Sequence, residues 1–177
     1  MEITVREEEK KDYNAVFELV RDAFVELPIS DGDECFLVNR LRKSRSFIPE
    51  LSLVAETEGK LIGHILLTEA IIKSNTSTYP TLTLAPVSVH PGWQRMGVGS
   101  RLIHDVLEIA CSIGFTSVIV VGHPDYYPRF GFSLASTFGI FSPFEVPDEA
   151  FMALELVPDA LKNVSGTVIY PNEFFNP

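Results

Sequence analysis

The chain has 177 residues, 46% of them hydrophobic, and its 14 Lys and Arg against 24 Asp and Glu give a formal net charge of −10. This length allows one sizeable hydrophobic core, so a single domain over residues 1–177 is predicted. The negative charge argues against nucleic acid as a partner, because a nucleic-acid groove needs a basic surface. It is compatible with cationic substrates such as amines, and it is equally explained by solubility alone.

Neither a membrane span nor a signal peptide is expected, because no segment has the required apolar run. The two cysteines, Cys35 and Cys111, are too few for a metal site or a disulfide framework. Cys111 lies within an apolar helical pattern and is predicted to be a small core residue. Together these features predict a cytoplasmic protein with no metal site and no membrane partner.

The N-terminal half has the pattern of two helices followed by a hairpin. Apolar residues recur at helical spacing before Pro28, and Asp33 stands where it can cap a second helix. The predicted elements, in chain order, are an edge strand at residues 3–5, helices at 16–24 and 33–41, and hairpin strands at 51–56 and 61–72.

Residues 81–121 carry the most regular pattern in the chain. A strand at residues 81–90 is followed by a helix at 97–113 and by a continuous apolar run at 117–121, which is typical of a strand buried on both faces. A strand–helix–strand order predicts that the two strands are parallel. Residues 133–150 are predicted to be irregular, and two further strands are expected at 151–156 and 164–170. The predicted fold class is an α/β domain with a mixed, mostly antiparallel sheet around a central parallel βαβ unit.

A turn with the features of a phosphate-binding site lies between the first parallel strand and its helix. The sequence Gln94-x-x-Gly97-x-Gly99 follows Pro91 directly. The free N–H groups of a helix N-terminus bind anions, and glycines allow a pyrophosphate to approach the backbone. The glycines are also consistent with simple relief of crowding at a strand-to-helix turn. A dinucleotide fingerprint is excluded because Leu102 stands where a third glycine is needed.

Two further features lie near this turn. Pro86 interrupts a central strand and predicts a bulge, because proline cannot donate a ladder hydrogen bond. After the second parallel strand, the sequence Gly-His-Pro-Asp-Tyr-Tyr-Pro-Arg-Phe-Gly-Phe at residues 122–132 carries two tyrosines, of which Tyr127 stands four residues before Gly131. A phenol at this turn is a candidate proton donor, since its ordinary pKa is ~10. The neighbouring Tyr126, Phe130 and Phe132 are interpreted as aromatic packing.

The order of these pieces resembles the GNAT superfamily of N-acetyltransferases. The Gln-x-x-Gly-x-Gly turn resembles its acetyl-CoA motif, and residues 122–132 resemble a subgroup with the turn Gly-x-Pro-x-Tyr-Tyr-x-Arg-Phe-Gly-Phe. One departure is a shortened helix before the tyrosines, where many members carry an Asn. The resemblance covers about 50 residues strongly and implies a GNAT-like fold in which pantetheine fills a wedge beside the bulged strand.

The resemblance also implies the activity and the site residues. The expected reaction transfers the acetyl group of acetyl-CoA, as co-substrate, to a primary amine by direct attack, with Tyr127 as the general acid. Main-chain groups of Val87 and Val89 are expected to pair with the pantetheine amides. The expected cofactor-binding residues are Val87, Ser88, Val89, Gln94, Arg95, Met96, Gly97, Val98, Gly99 and Ser100.

The sequence leaves several alternatives open. The candidate general bases are Glu26, Asp31, Asp33, Glu34, His64, Glu69, His90, Glu155 and water. Four phenylalanines, Phe138, Phe141, Phe144 and Phe151, are predicted to fill the core rather than an acceptor pocket. The acceptor is a small-molecule or peptide amine, and the oligomeric state stays open, with a homodimer among the states that the resemblance allows. The alternatives to an enzyme are a catalytically inactive acyl-CoA-binding sensor or partner module of the same fold, and a βαβ protein that binds another phosphorylated ligand.

Overall fold

The computed structural model describes residues 2–175; residue 1 and residues 176–177 of the predicted domain lie outside the described residues. Nine strands in the described chain belong to one sheet. They are β1 (Thr4–Glu7), β2 (Phe47–Thr57), β3 (Lys60–Lys73), β4 (Thr78–Val89), β5 (Ser117–Val121), β6 (Ser133–Leu134), β7 (Ile140–Phe141), β8 (Phe151–Glu155) and β9 (Gly166–Ile169). The α-helices within residues 2–175 are α1 (Tyr13–Phe24), α2 (Glu34–Leu41) and α3 (Val98–Ser112).

The sheet combines antiparallel hairpins with a parallel centre. Its strand order is β1-β2-β3-β4-β5-β8-β6, and β9 pairs with both β3 and β7. The β4–β5 and β7–β9 pairs are parallel, and the remaining pairs are antiparallel. Helix α3 connects β4 to β5 as the crossover of a βαβ unit. The predicted mixed sheet with a central parallel βαβ unit is therefore confirmed.

Helix α3 covers one face of the sheet at close range. Its buried face consists of Val98, Leu102, Ile103, Val106, Leu107 and Ala110. A Cβ atom added to Gly63 of β3 would lie 2.9 Å from both Leu102 Cδ1 and Val98 Cγ1, closer than carbon atoms pack. Glycine at this position therefore lets the first turns of α3 rest directly on the sheet.

Helices α1 and α2 cover part of the opposite face. Val16, Leu19 and Val20 of α1 pack with Val38 and Leu41 of α2 over the β2 and β3 strands. Residues after β8 cover the remainder of this face, where Leu161, Val168 and Tyr170 are buried. The connection between α1 and α2, residues 25–33, reaches the end of β4. The connection and this end of β4 line the same cleft.

The central parallel pair separates after two positions. Strands β4 and β5 pair at Leu82 with Val118 and at Thr83 with Ile119. From the pair Leu67–Leu84 to the pair Ile65–Val87, β3 advances two residues while β4 advances three, which is a bulge. Pro86 lies inside this bulge, so the predicted bulge is confirmed. Beyond it the facing edges of β4 and β5 are unpaired and open a wedge.

Four local predictions were wrong. Cys111 is exposed rather than buried, because the buried face of α3 is formed by its neighbours at 106, 107 and 110. Asp33 stands at the N-cap position of α2, but its side chain makes no cap hydrogen bond; its carboxylate accepts a 2.9 Å hydrogen bond from Arg40 instead. Phe141 and Phe144 are 56% and 40% exposed, because they lie at the periphery and not in the core.

The segment 133–150, predicted to be irregular, contains the short strands β6 and β7, which are too brief to leave a periodic signal in the sequence. No helix within residues 2–175 combines the length and the apolar character needed to cross a membrane.

Candidate active site

A cleft of about 490 Å³ opens where β4 and β5 separate. Its walls come from four parts of the chain: the connection between α1 and α2, the bulged end of β4, the start of α3, and the turn after β5. The lining residues are Ala23, Phe24, Leu27, Ile29, Glu34, Leu37, Leu84, Ala85, Pro86, Val87, Ser88, Val89, Gln94, Gly99, Val121, Gly122, His123, Tyr126 and Tyr127. The two motifs identified in the sequence therefore meet at one cleft.

The backbone of β4 presents polar groups to this cleft. His90 N–H donates to Ile62 O at 2.9 Å, which directs the backbone of residue 90 toward β3. Because backbone direction alternates along an antiparallel ladder, Ser88 also faces β3, whereas Val87 and Val89 face the wedge. One of these groups is already engaged, since Gln94 Nε2 donates to Val89 O at 3.2 Å. The N–H groups of Val87 and Val89 and the Val87 carbonyl remain directed toward the cleft.

The turn that follows β4 is shaped for close approach of a ligand to its backbone. Gly97 precedes the first residue of α3 with φ of 84°, a left-handed conformation that glycine adopts without strain. Arg95 also has a positive φ, 62°, and its side chain is exposed. The first N–H groups of α3 have no acceptor within their own helix and carry the positive end of its dipole. This arrangement is suited to binding an anion.

The ten residues predicted to bind the cofactor divide into two groups. Five line the cleft: Val87, Ser88, Val89, Gln94 and Gly99. The other five, Arg95, Met96, Gly97, Val98 and Ser100, form the adjoining turn and the first turn of α3. The Val98 side chain is buried in the core, so only its backbone N–H can reach a ligand.

Tyr127 lies at the far side of the same cleft, in a short 3₁₀ turn that follows β5. Its side chain is 7% exposed and packs edge-on against the rings of Tyr126 and Phe132. Burial, with a smaller contribution from Tyr126, raises the pKa of Tyr127 above its ordinary value. The hydroxyl makes no hydrogen bond to any residue between 2 and 175. A protonated, unengaged phenol therefore faces the cleft.

A glycine that the sequence analysis did not single out determines where this phenol lies. A Cβ atom at Gly122 would stand 2.1 Å from Tyr127 Cε2 and 2.8 Å from its Cδ2. The tyrosine ring therefore rests on the bare backbone at the end of β5. The glycine is the first residue of the Gly-x-Pro-x-Tyr-Tyr turn, and its position in that turn was the signal available in the sequence.

The second tyrosine connects this turn to the phosphate-binding turn. A Cβ atom at Gly99 would lie 3.1 Å from the Tyr126 hydroxyl and 3.5 Å from Val89 Cγ2. Arg129 stacks over the Tyr126 ring with its Cζ atom 4.7 Å from the ring centroid. This contact lets Arg129 brace the tyrosine turn.

The candidate bases differ sharply in position. Glu34 is the one carboxylate among the described residues that line the cleft. Glu155 accepts a 2.9 Å hydrogen bond from the backbone N–H of Leu161 and so fixes a turn. His90 Nδ1 accepts from the N–H of Gly92 at 3.1 Å. The carboxylates that are exposed or paired outside the cleft are Glu26, Asp31, Asp33 and Glu69.

His64 is fully buried beneath α1 and α2 and belongs to a polar network. Its Nε2 atom lies 3.3 Å from Ser52 Oγ, and the Ser52 hydroxyl donates to Glu8 Oε2 at 2.8 Å. Glu8 in turn is paired with the buried guanidinium of Arg42. Burial lowers the pKa of His64 to about 4, with Arg42 acting in the same direction and Glu8 opposing both. The imidazole is therefore neutral at physiological pH.

Comparison with known proteins identifies the family. The sequence profile of the acetyltransferase (GNAT) domain matches residues 4–135. The chain therefore belongs to the GNAT family. It is 43% identical over 117 residues to the uncharacterized N-acetyltransferase YjhQ of Escherichia coli K12. The aligned region covers 66% of this chain and 65% of YjhQ. The chain is 30% identical over 156 residues to the uncharacterized N-acetyltransferase YhbS of the same strain, 88% of this chain and 90% of YhbS.

Solved GNAT structures share the complete fold. Escherichia coli YhbS in complex with CoA superposes with a TM-score of 0.88 at 27% identity, over 98% of this chain and 92% of that one. A GNAT acetyltransferase of Brucella melitensis in complex with acetyl-CoA gives 0.81 at 28% identity, over 98% of both chains. The predicted fold and family are confirmed, and the predicted enzyme class, an acetyl-CoA-dependent acyltransferase, is confirmed at the level of the family.

Proposed function

We propose that this GNAT protein transfers the acetyl group of acetyl-CoA to a primary amine within the cleft between β4 and β5. The observation that carries the proposal is that one cleft joins the unpaired edge of β4, the glycine turn of α3 and the buried phenol of Tyr127. The two solved relatives that contain CoA or acetyl-CoA support the same co-substrate. The proposal therefore combines family membership with the geometry of this chain.

In this proposal the two halves of acetyl-CoA bind to different parts of the cleft. The pyrophosphate binds at the turn of residues 94–100, against the N–H groups of α3 and the charge of Arg95. The pantetheine arm lies along β4, where the Val87 carbonyl and the Val89 N–H pair with its amides and leave the Val87 N–H free. The acetyl thioester then reaches the region between the bulge of β4 and Tyr127.

The proposed acetyl transfer needs only acetyl-CoA, the amine and the Tyr127 phenol. The acceptor loses one proton to solvent and enters the reaction as a neutral amine. Its nitrogen attacks the thioester carbonyl, a C–N bond forms, and the C–S bond breaks with its electron pair on sulfur. Tyr127 gives its proton to that sulfur, so CoA leaves as the thiol, and the phenolate takes the proton that the nitrogen loses. The N–H of Val87, directed into the wedge beside the bulge, is positioned to stabilise the developing oxyanion.

Burial raises the pKa of Tyr127 and so keeps its phenol protonated before the reaction, which makes it a proton donor at that stage. A buried phenol stays protonated throughout the neutral range, so a proton is available when the thiolate forms. Phenylalanine in its place keeps the ring contacts with Tyr126 and Phe132 and removes only the hydroxyl. Loss of a positioned general acid typically lowers kcat by about 100-fold to 10,000-fold.

The test of this function is a thiol-release assay with purified protein, acetyl-CoA and a panel of amines. Amine-dependent release of CoA, reduced by Tyr127→Phe without a matching loss of acetyl-CoA binding, supports an enzyme with Tyr127 as its acid. Tight acetyl-CoA binding without turnover of any amine supports the alternative, a catalytically inactive acyl-CoA-binding sensor or partner module. A cytoplasmic location belongs to the same proposal, since the two cysteines are both unpaired thiols, as is usual in a reducing compartment.

A further inference from the structure

We propose that the acceptor is a small, singly charged primary amine with an apolar body, and that Glu34 binds its ammonium group before one proton passes to solvent and the neutral nitrogen attacks. This inference rests on the proposed acetyl transfer and names the substrate class for the same cleft. It follows from the part of the cleft that the cofactor leaves free, which is formed by the end of α1, the connection to α2 and the first turn of α2.

The free part of the cleft is apolar on almost every side. Ala23 and Phe24 end α1, Leu27 and Ile29 lie in the connection, and Leu37 faces the cleft from α2. Such a lining does not satisfy the hydrogen bonds of a hydroxylated or peptide-like substrate, which would be desolvated there without partners. It favours a substrate whose body is alkyl or aryl.

The connection between α1 and α2 also exposes apolar side chains to solvent. Ile29 is 95% exposed and Leu27 is 44% exposed, although both line the cleft. The connection is not loose, because Ser30 N–H donates to Leu27 O and Gly32 N–H donates to the Ser30 hydroxyl. The hydrogen bonds hold these apolar side chains at the mouth of the cleft. An apolar ligand that covers them removes them from water, which stabilises the complex.

One charge faces this apolar lobe. Glu34 Oε2 accepts a 2.8 Å hydrogen bond from the Ser30 hydroxyl, which fixes the carboxylate on the first turn of α2. Its other oxygen has no partner within residues 2–175. A fixed carboxylate with a free oxygen at the edge of an apolar lobe is complementary to one ammonium group.

The same lining argues against the other amine classes. The described cleft residues include no Lys or Arg, so the carboxylate of an amino acid would have no partner. They include one carboxylate, so a polyamine or aminoglycoside would leave its further charges unpaired. A cleft of about 490 Å³ that also holds the pantetheine arm has room for a small acceptor.

The experiment measures steady-state acetylation of matched amines by the full chain. Phenethylamine and phenylalanine share a body and differ by a carboxylate, and a series from butylamine to octylamine varies only apolar length. The expected KM is lower for phenethylamine than for phenylalanine, and it falls about fourfold with each methylene buried. Spermidine and a lysine-containing peptide complete the panel.

Variants test the assigned residue. Glu34→Gln is expected to raise the KM for phenethylamine about 10-fold to 100-fold, since it removes a charge-assisted hydrogen bond, with the KM for acetyl-CoA unchanged. Glu34→Asp is expected to recover part of that loss. The matched control is Glu26→Gln, because Glu26 is an exposed carboxylate in the same connection that does not line the cleft.

The outcomes separate this inference from the proposed function. If acetyl-CoA binds and turns over but spermidine, phenylalanine or the peptide is preferred, the acceptor class is wrong while acetyl transfer stands. An unchanged KM in Glu34→Gln overturns the role of Glu34 in the same way. If calorimetry detects no acetyl-CoA binding, the proposed function itself fails.

Discussion

Adding one methyl group at Gly122 tests whether the position of the Tyr127 phenol, the proposed general acid, matters to catalysis, because it leaves the hydroxyl itself in place. The Cβ atom of Gly122→Ala would stand 2.1 Å from Tyr127 Cε2, about 1.5 Å inside an ordinary carbon–carbon contact. Tyr127 is buried, so its ring cannot rotate into solvent, and either the ring or the end of β5 must move by more than 1 Å. We expect a misplaced phenol and a loss in kcat of about 100-fold, since displacements of this size cost that much in oriented reactions. Overpacking of this kind costs about 1–3 kcal/mol in unfolding free energy.

The assay compares kcat, acetyl-CoA binding and the free energy of unfolding in urea for four proteins. These are the wild type, Gly122→Ala, Tyr127→Phe and the double variant. If the added methyl acts through the Tyr127 hydroxyl, the double variant loses no more kcat than Tyr127→Phe alone. Gly92→Ala is the matched control, since its Cβ would lie at an ordinary 3.5 Å from the nearest atom, His90 Nδ1.

Two results would refute this reasoning. Wild-type kcat in Gly122→Ala would mean that the exact position of the ring does not matter to catalysis. If the fold losses in kcat of the two single variants multiply in the double variant, Gly122 and the Tyr127 hydroxyl act independently. The contact between Gly122 and the Tyr127 ring would then not be the cause of the loss in kcat.

Two further predictions concern the cofactor turn and the buried histidine. Gly99→Val is expected to raise the Kd for CoA at least 10-fold by calorimetry, because its side chain would crowd the Tyr126 hydroxyl and the approach to the helix N-terminus, and an unchanged Kd would contradict the binding site. The pKa of His64 is about 4 in the folded chain. Below pH ~6.5, the ordinary pKa of histidine, His64 binds a proton in the unfolded chain but not in the folded chain. The free energy of unfolding therefore falls as the pH falls from 6.5 toward 4, and this loss is absent above pH 6.5. Urea unfolding should therefore lose about 2 kcal/mol between pH 8 and pH 5, and His64→Gln should flatten that slope; an equal slope in the variant would contradict the assigned cause.

The sequence predicted the central elements well because their signals are local. The apolar run at 117–121 coincides with β5, and the helix predicted at 97–113 differs from α3 by one residue at each end. Pro86 marked the bulge because the missing N–H of proline is a constraint that acts at its own position. The glycine turn and Tyr127 were recognisable for the same reason, as each is a short pattern beside a strand end.

The sequence did not predict features that depend on contacts between distant segments. Nothing local distinguishes Glu34, which lines the cleft, from Glu69, which is exposed on β3, because the difference arises when the connection after α1 folds toward β4. The importance of Gly122 depends on the ring that packs against it. Cys111 was misplaced because one residue of helical phase separates it from the buried Ala110.

The central claim, that this cleft binds acetyl-CoA through both its pyrophosphate and its pantetheine arm, is tested most directly by calorimetric titration. The purified chain is titrated with acetyl-CoA and, separately, with S-acetylpantetheine, which lacks the pyrophosphate and the nucleotide. We predict saturable binding of acetyl-CoA at one site per chain and binding of S-acetylpantetheine that is at least about 100-fold weaker, since charge-assisted contacts of this kind are each worth about 1.5–3 kcal/mol. No binding of acetyl-CoA, or equal affinity for the two compounds, would contradict the account.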